Sequence, residues 1–402
     1  MAAVSNGNGS SMSQFNSRVL TFAFGVVALW GISMTAQSEV IVMRTPDEGV
    51  QPRLVTSADG GVHLLYFKKR LSAPSAREGN LYYRQFDLKT RSFGLPVKVS
   101  SSAFDLQTFA IARAGMAIDG GGRAHVMWYL SREGKFLYAR SDAKRKAFED
   151  QRSVVTEFSE GIDAGGDVAA QGDQIALIWG AGALSAEQER TVYARFSNDG
   201  GASFGPELRV GNKDLGACAC CSLAAEFDQQ HRLQIAYRSA IDGIGRHMQR
   251  LTLFSDSPSL AEAGNRLRGE YAPLQESQKW EISSCPLSTN DFAIDSESNL
   301  WLTFETAARV IHMGSDGLAK AVTEPSSETR QKNPAIAVNS TGQVLTVWGE
   351  AISHSKGGTL RAQLESSNGE LLDWELPIEQ TIPNYSFPAA AAVGEEDFLL
   401  VW

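Results

Sequence analysis

The stretch GACACCSLAAEFDQQHRLQIAYR, residues 216–238, contains the repeating unit of this chain and three of its four cysteines. Within it, a strand of small residues from Ser222 to Phe227 leads into a polar turn from Asp228 to Arg232. A second strand, Leu233 to Tyr237, ends on an aromatic residue. Two short apolar runs joined by a polar turn predict a β-hairpin.

This hairpin pattern occurs seven times, and the second strand of each copy ends on an aromatic residue: Tyr66, Trp128, Trp179, Tyr237, Phe304, Trp348 and Trp402. The intervals between these aromatics, 44 to 67 residues, suit four-stranded propeller blades with loops of variable length. In four copies a short polar residue stands nine positions earlier, where its side chain can close the turn: Asp119, Asp228, Asp295 and Asn339. We therefore predict an all-β propeller with seven blades, with six blades as the alternative.

The last hairpin ends at Trp402, so no third or fourth strand follows it in the sequence. An unpaired strand at the edge of a sheet is a liability, because it exposes a row of hydrogen-bonding groups. We expect the N-terminal strand Val40 to Arg44 to close the ring by pairing with this blade.

A third strand follows several hairpins, and one copy, VYAR (192–195), continues into SNDGGASF (197–204). This run fits the Asp-box pattern S-x-D-x-G-x-x-F. Asp199 can accept backbone N–H bonds, Gly201 permits a positive φ, and Phe204 can pack between strands, so Ser197 to Phe204 are expected to be structural. Over about residues 39–402 the chain resembles the Asp-box (BNR-repeat) β-propellers of the sialidase superfamily, whose sialidases have six blades.

The resemblance implies a retaining sialidase site: an arginine triad that holds a carboxylate, a nucleophilic tyrosine with a glutamate partner, and an aspartic acid. Arg238 and Tyr385 match this pattern by position, and the candidate partners of the tyrosine are Glu305 and Glu350. The chain departs from the family's F/Y-R-I-P motif, because Gln51-Pro52-Arg53 stands at that place.

The starts of first strands and the ends of second strands should meet on one rim of the ring. Further candidates for ligand binding on this rim are Tyr129, Arg132, Asp167 and Asp291. We expect a recognition propeller that binds a glycan or another acidic ligand there. An active exo-sialidase and a metal or redox site at the cysteines are the alternatives.

The four cysteines, Cys218, Cys220, Cys221 and Cys285, all precede first strands and should lie on the same rim. In an exported protein they are expected to form disulfides, with Cys285 joined to one of the other three. A thiolate metal site, for example for copper(I), is the alternative. The CxCC run and the later W-x4-C-P run also resemble an uncharacterised exported branch of the superfamily. His63 and His125 occupy a generic strand position, so no metal ligand and no cofactor is expected from them.

The N-terminus and the charge indicate location and partners. The formal net charge of −9, from 37 basic and 46 acidic residues, argues against nucleic acid as a partner. Residues 1–17 are polar and expected to be disordered, and the apolar run Val19 to Met34 precedes a small-x-small cleavage pattern at Ala36 and Ser38. We predict a signal peptide within residues 1–38 and a secreted or periplasmic propeller, residues 39–402. An uncleaved membrane anchor is the alternative.

Overall fold

Seven sheets follow one another along the chain, and each contains one of the predicted hairpins. The structure is a computed structural model that describes residues 38–72, 77–106, 112–163, 165–295, 297–314, 316–323, 329–353, 355–377 and 379–402. The predicted disordered segment and the apolar run of the signal peptide lie outside these residues. Among the described residues, no helix is both long and apolar enough to cross a membrane.

The seven sheets are numbered here as blades in chain order. Blade 1 contains β2 (Val50–Thr56), β3 (Val62–Lys69), β4 (Glu78–Asp87) and β5 (Ser92–Phe93), with β6 (Val97–Lys98) and β7 (Phe104–Asp105) also paired to β4. Blade 2 contains β8 (Gly115–Ile118), β9 (Ala124–Leu130), β10 (Lys135–Arg140) and β11 (Arg152–Ser153). Blade 3 contains β12 (Gly166–Gln171), β13 (Gln174–Ala181), β14 (Thr191–Ser197) and β15 (Leu208–Arg209).

Blade 4 contains β16 (Ala224–Phe227), β17 (Leu233–Arg238), β18 (Met248–Phe254) and β19 (Arg268–Tyr271). Blade 5 contains β20 (Asn290–Ile294), β21 (Leu300–Thr306), β22 (Arg309–Met313) and β23 (Ala319–Ala321), and blade 6 contains β24 (Gln331–Val338), β25 (Val344–Glu350) and β26 (Thr359–Glu365). Blade 7 contains β27 (Ala389–Val393), β28 (Asp397–Val401) and β1 (Val40–Met43). Short 3-10 helices in the loops are Pro46–Glu48, Glu187–Glu189, Lys213–Leu215, Leu260–Glu262, Gly264–Arg266 and Glu276–Gln278.

The first strands of the blades form the inner wall of a closed ring. They contact one another in the order β2, β8, β12, β16, β20, β24 and β27, and β27 returns to β2. This closed circuit confirms the predicted seven-bladed propeller and excludes the six-bladed alternative.

The N-terminal strand closes the ring, as predicted. β1 pairs with β28 from Val40 opposite Phe398 to Met43 opposite Val401, and the two strands run parallel. Alternate strands of a hairpin-linked blade point in opposite directions, so the second and fourth strands point the same way. β1 leads into the first strand of blade 1 and therefore has the direction of a fourth strand. In blade 7, β1 lies directly beside the second strand, β28, with no third strand between β1 and β28. The pair is therefore parallel.

The aromatic anchors near the ends of the second strands fill the spaces between blades. Trp179 and Tyr66 have no exposed surface, and Trp128 is only 2% exposed. The polar turn residues act on the backbone: Asp228 Oδ1 accepts the N–H groups of Gln230 (3.0 Å) and Arg232 (2.9 Å). These two features, a buried aromatic anchor and a turn closed by a side chain, explain why the repeat is visible in the sequence.

The Asp-box forms a closed turn at the end of β14. Ser197 Oγ donates to Asp199 Oδ1 (2.6 Å) and accepts from the Gly201 N–H (3.0 Å), while Asp199 accepts from the Ser203 N–H (3.0 Å). Gly201 has φ +72°, and a Cβ built on it would lie 2.0 Å from the Tyr138 hydroxyl. Phe204 packs edge to face on Tyr138, with ring centroids 5.2 Å apart. The box thus ties blade 3 to blade 2.

Candidate functional site

The cysteines lie on the rim formed by the starts of first strands. Cys218, Cys220 and Cys221 precede β16 of blade 4, and Cys285 precedes β20 of blade 5. The segment before β16 is held in place because the Cys218 N–H donates to the Arg238 carbonyl (2.9 Å) and the Ser222 N–H to the Ser288 carbonyl (3.1 Å). Backbone bonds to blades 4 and 5 therefore fix the positions of the thiols.

Three thiols form a buried cluster, which we call the thiol triad: Cys218, Cys220 and Cys221. They are 6%, 3% and 2% exposed. The Cys218 Sγ lies 3.1 Å from the Cys221 Sγ and 3.5 Å from the Cys220 Sγ, and the three sulfurs lie within 4.8 Å of one another. Three thiols facing one point can bind a single soft metal ion.

The predicted disulfides are not confirmed, because all four cysteines are free thiols in the structure. Cys285 is exposed and lies near Cys220, where its Sγ, the Cys220 Sγ and a Glu187 carboxylate oxygen are within 4.8 Å of one another. The predicted convergence of the four cysteines is therefore present without a covalent bond.

Arg238 lies beside the triad and is 1% exposed. Its Nε donates to the Ser288 hydroxyl (2.6 Å), its Nη1 donates to the Arg246 carbonyl (2.7 Å) and its Nη2 to the Glu305 carbonyl. The guanidinium also stacks 5.0 Å from the centroid of the Trp280 ring. These contacts are those of a structural arginine, and the predicted role of Arg238 as a carboxylate clamp stays a prediction. Ser288 in turn donates to the Cys221 sulfur at 3.8 Å.

Two further buried arginines flank the thiols. Arg190 donates to the carbonyls of Ala217 (3.2 Å), Gly161 (2.8 Å) and Gly182. Arg246 pairs with Glu187, while its Nε and Nη1 are buried and have no hydrogen-bond partner in the described residues. The triad is thus surrounded by positive charge.

This charge stabilises a thiolate. Burial works against ionisation of Cys221, but hydrogen bonds from Cys218 and Cys220 and the charge of Arg238 hold its pKa well below the usual value. Hydrogen bonds to Cys218 and Cys221, together with burial, raise the pKa of Cys220.

The predicted ligand residues Asp167 and Asp291 lie at the axis of the ring. Arg53 reaches both of them: its Nη1 pairs with Asp291, and its Nη2 lies 3.7 Å from an Asp167 oxygen. Arg113 also binds Asp291, at 3.4 Å. Burial and the neighbouring aspartates raise the pKa of Glu226 to about 7, although Arg53 opposes this rise. Blades 1 to 5 each contribute one residue to this nearly neutral network of buried charges.

The structure does not assemble a tyrosine–glutamate pair around Tyr385. Its N–H donates to the Ser355 carbonyl (3.0 Å), and its ring lies 5.5 Å from Lys69 Nζ. Glu305 instead binds Lys332 and Arg330, and Glu350 binds Arg361. No hydrogen bond joins Tyr385 to either glutamate in the described part of the chain.

Arg132 lines an open cleft of about 400 Å³ between blades 1 and 2, together with Phe104, Asp105 and Lys135. The Arg132 side chain is 75% exposed and pairs with Asp105. Tyr129 does not line this cleft. Its hydroxyl donates instead to the Ile162 carbonyl at 2.9 Å. The four predicted ligand residues thus lie at three separate places.

Sequence reasoning missed several residues around these sites: Glu187, Arg190, Arg246, Lys332 and Arg113. A signal existed for Lys332 and Arg113, because each lies at or just before a first strand, as Asp167 and Asp291 do. The other three come from loops or from the base of a third strand. The repeat pattern does not predict where residues at such positions lie.

The sequence matches no protein-family profile, so the resemblance to the sialidase superfamily is confirmed only as far as a propeller with a cysteine cluster. No curated protein matches it either.

Similar solved structures include a lectin of Aleuria aurantia, with 8% identity over 83% of this chain and 96% of that one and a TM-score of 0.47. Another is an α-L-arabinanase of Penicillium chrysogenum, with 9% identity over 83% of this chain and 99% of that one and a TM-score of 0.49. A third is virginiamycin B lyase of Staphylococcus aureus, with 12% identity over 88% of this chain and 92% of that one and a TM-score of 0.45. At this level of likeness, their activities say nothing about this chain.

Proposed function

We propose that this chain is an exported propeller that binds copper(I) through the thiol triad. The observation that carries the proposal is the approach of three buried sulfurs to within 4.8 Å of one another. Thiolates are soft ligands, and soft ligands select copper(I) among the common ions. Zinc is the main competitor, but its structural sites take four ligands. The fourth cysteine, Cys285, forms a group with Cys220 and Glu187 and not with all three sulfurs of the triad.

The surrounding charges support an anionic centre. Three thiolates and one copper(I) ion carry a net charge of −2. Arg190 and Arg238 are both buried, and in the described residues neither forms an ion pair with a carboxylate. Buried charges are stable only when they are compensated. The copper–thiolate centre supplies the compensation that these two guanidinium groups need.

Export remains part of the proposal and is supported by the apolar run Val19 to Met34 with the small residues Ala36 and Ser38. Fractionation of cells that express the full chain tests it, followed by sequencing of the mature N-terminus. An intact N-terminus in the cytoplasmic fraction would contradict export.

Copper binding is tested by titrating the reduced full chain with copper(I), without oxygen, against the chelator bicinchoninate. We expect one copper per chain, a coordination shell of sulfur only in X-ray absorption, and loss of binding in the Cys218→Ser and Cys221→Ser variants. Binding equal to that of a triple serine variant would refute the proposal. So would a Cys218–Cys221 disulfide in protein isolated from its native compartment, because it would remove two of the ligands.

A second function is favoured by the cleft at Arg132: recognition of a glycan or another acidic ligand without hydrolysis. The cleft combines the aromatic Phe104 with the exposed Arg132 guanidinium, which a carboxylated sugar would bind in place of Asp105. A glycan array probed with the full chain tests this function. Arg132→Ala should abolish the binding of acidic glycans, whereas Arg268→Ala, also at a highly exposed arginine, should not. An array with no acidic glycan bound would remove this candidate.

A further inference from the structure

The second cluster of metal-binding groups shares a ligand with the thiol triad. Glu187, Cys220 and Cys285 place a carboxylate oxygen and two sulfurs within 4.8 Å of one another. Cys285 is exposed, Glu187 is partly buried and Cys220 is 3% exposed. The two clusters therefore form a continuous series of ligands from the solvent to the buried sulfurs, joined at Cys220.

The structure holds both outer ligands in position. Glu187 Oε1 accepts the Ala219 N–H (2.9 Å), and its other oxygen accepts from Arg246. The loop that carries Cys285 is fixed on both sides. The Ile282 N–H donates to the Ile244 carbonyl (2.9 Å), and Lys332 Nζ binds the Leu287 carbonyl (2.9 Å). Cys285 is thus exposed, yet it is kept near Cys220.

We infer that Cys285, Cys220 and Glu187 form an entry station through which copper(I) passes from a thiol-bearing donor to the thiol triad. This inference rests on the copper-binding function proposed above. A carboxylate is a poor ligand for a soft ion, so the station binds copper(I) more weakly than three thiolates do. The ion is therefore held briefly at the station and moves inward.

The transfer proceeds by ligand exchange, and copper stays in the +1 state throughout. The Cys285 thiol releases its proton to water as its sulfur bonds to copper and one donor thiolate leaves with a proton from water. Cys220 then releases its proton to water and bonds to the ion together with a Glu187 oxygen, and the remaining donor thiolate departs with a proton from water. Cys218 and Cys221 bond next, with any thiol proton they carry passing to water, the Cys285–copper and Glu187–copper bonds break, and Cys285 takes up a proton again. Cys220 stays bound during the inward step, so the ion is never free.

The test measures rate and equilibrium separately. The reduced full chain is mixed in a stopped-flow instrument with the copper(I)–bicinchoninate complex, and the loss of the coloured complex is followed. Cys285→Ser should slow loading by about tenfold or more, which corresponds to a barrier higher by about 1.4 kcal/mol. The stoichiometry and final affinity should not change.

The control is Ser284→Ala, an exposed substitution in the same loop, which should load at the normal rate. Glu187→Gln removes the carboxylate ligand and should also slow loading without changing the final affinity, and circular dichroism checks the fold of each variant.

The outcomes distinguish the two proposals. If the unmodified chain binds no copper at the triad, both proposals fail. If it binds copper but Cys285→Ser loads at the normal rate, only the entry station is refuted. If Cys285→Ser loses the bound ion at equilibrium, Cys285 is a permanent fourth ligand, and the station is again refuted.

Discussion

Replacing Lys332 with methionine should strongly destabilise the propeller. Lys332 Nζ binds the carbonyls of Pro286 (3.0 Å) and Leu287 (2.9 Å) and the Glu305 carboxylate (3.0 Å). Its side chain is 2% exposed, and that of Glu305 is fully buried. Methionine fills a similar volume but offers no donor, so these three acceptors lose their bonds to Lys332.

The expected loss follows from these contacts. A buried acceptor left without a partner costs about 1–3 kcal/mol, and breaking a buried ion pair costs about 3–5 kcal/mol. Glu305 retains Arg330 at 2.7 Å, which limits the second cost. We therefore expect the free energy of unfolding to fall by about 3–5 kcal/mol in total. The same substitution frees the segment next to Cys285, so copper loading should slow as well.

Urea unfolding followed by circular dichroism measures this loss. Lys279→Met is the matched control, because Lys279 forms an exposed ion pair with Glu276, with side chains 44% and 88% exposed. Such a pair contributes less than about 1 kcal/mol. A double-mutant cycle with Glu305→Gln should give a coupling energy of about 1–3 kcal/mol. If Lys332→Met unfolded at the same urea concentration as the control, the reasoning about this buried pair would be wrong.

Three further predictions concern the fold. Gly201→Ala should destabilise the protein by about 2–4 kcal/mol in urea unfolding, because the new side chain meets both a positive φ and a clash with Tyr138. The control Gly134→Ala has φ +57° but open space around it, so it should cost only about 1–2 kcal/mol. His63 should lower stability as the pH falls below about 6.5, because burial lowers its pKa from 6.5 to about 4 and the unfolded chain takes up this proton first, while Glu226, with its pKa raised to about 7, contributes in the opposite direction. At pH 5 the loss from His63 is about 2 kcal/mol, and a His63→Gln variant should show a shallower decline; an equal slope would contradict this assignment. Starting the chain at Arg44 removes β1 and exposes the edge of β28, so the melting transition should broaden and aggregation should increase, and an unchanged melting curve would show that β1 does not stabilise the ring.

The sequence was sufficient for the parts of the fold that repeat. The anchors from Tyr66 to Trp348 lie in the second strands of blades 1 to 6, and Trp402 directly follows β28, because one packing requirement recurs in every blade. The closing role of Val40 to Met43 was also predictable, since blade 7 lacked strands. The parallel direction follows from the connectivity but was not predicted.

The candidate site was less predictable, because its contacts come from loops that differ between blades. The meeting of four cysteines was inferred from their common position before first strands. Nothing in the repeat indicated that Glu187 would lie against the backbone of Ala219 or that Arg246 would reach the thiols. The axial aspartates were expected on a rim, but Arg53 and Arg113 hold them inside the ring.

The pairing of β1 with β28 also determines when this protein can finish folding. Val40 and its partner Phe398 are 358 residues apart in the sequence, so Val40 leaves the ribosome long before Phe398 is made. Contacts between such distant parts of a chain form slowly, and the intermediates expose unpaired edges. During translation the first six blades can assemble only as an open arc. A chain truncated just before Asp397 would lack β28, the partner of β1, so its ring could not close through this pair.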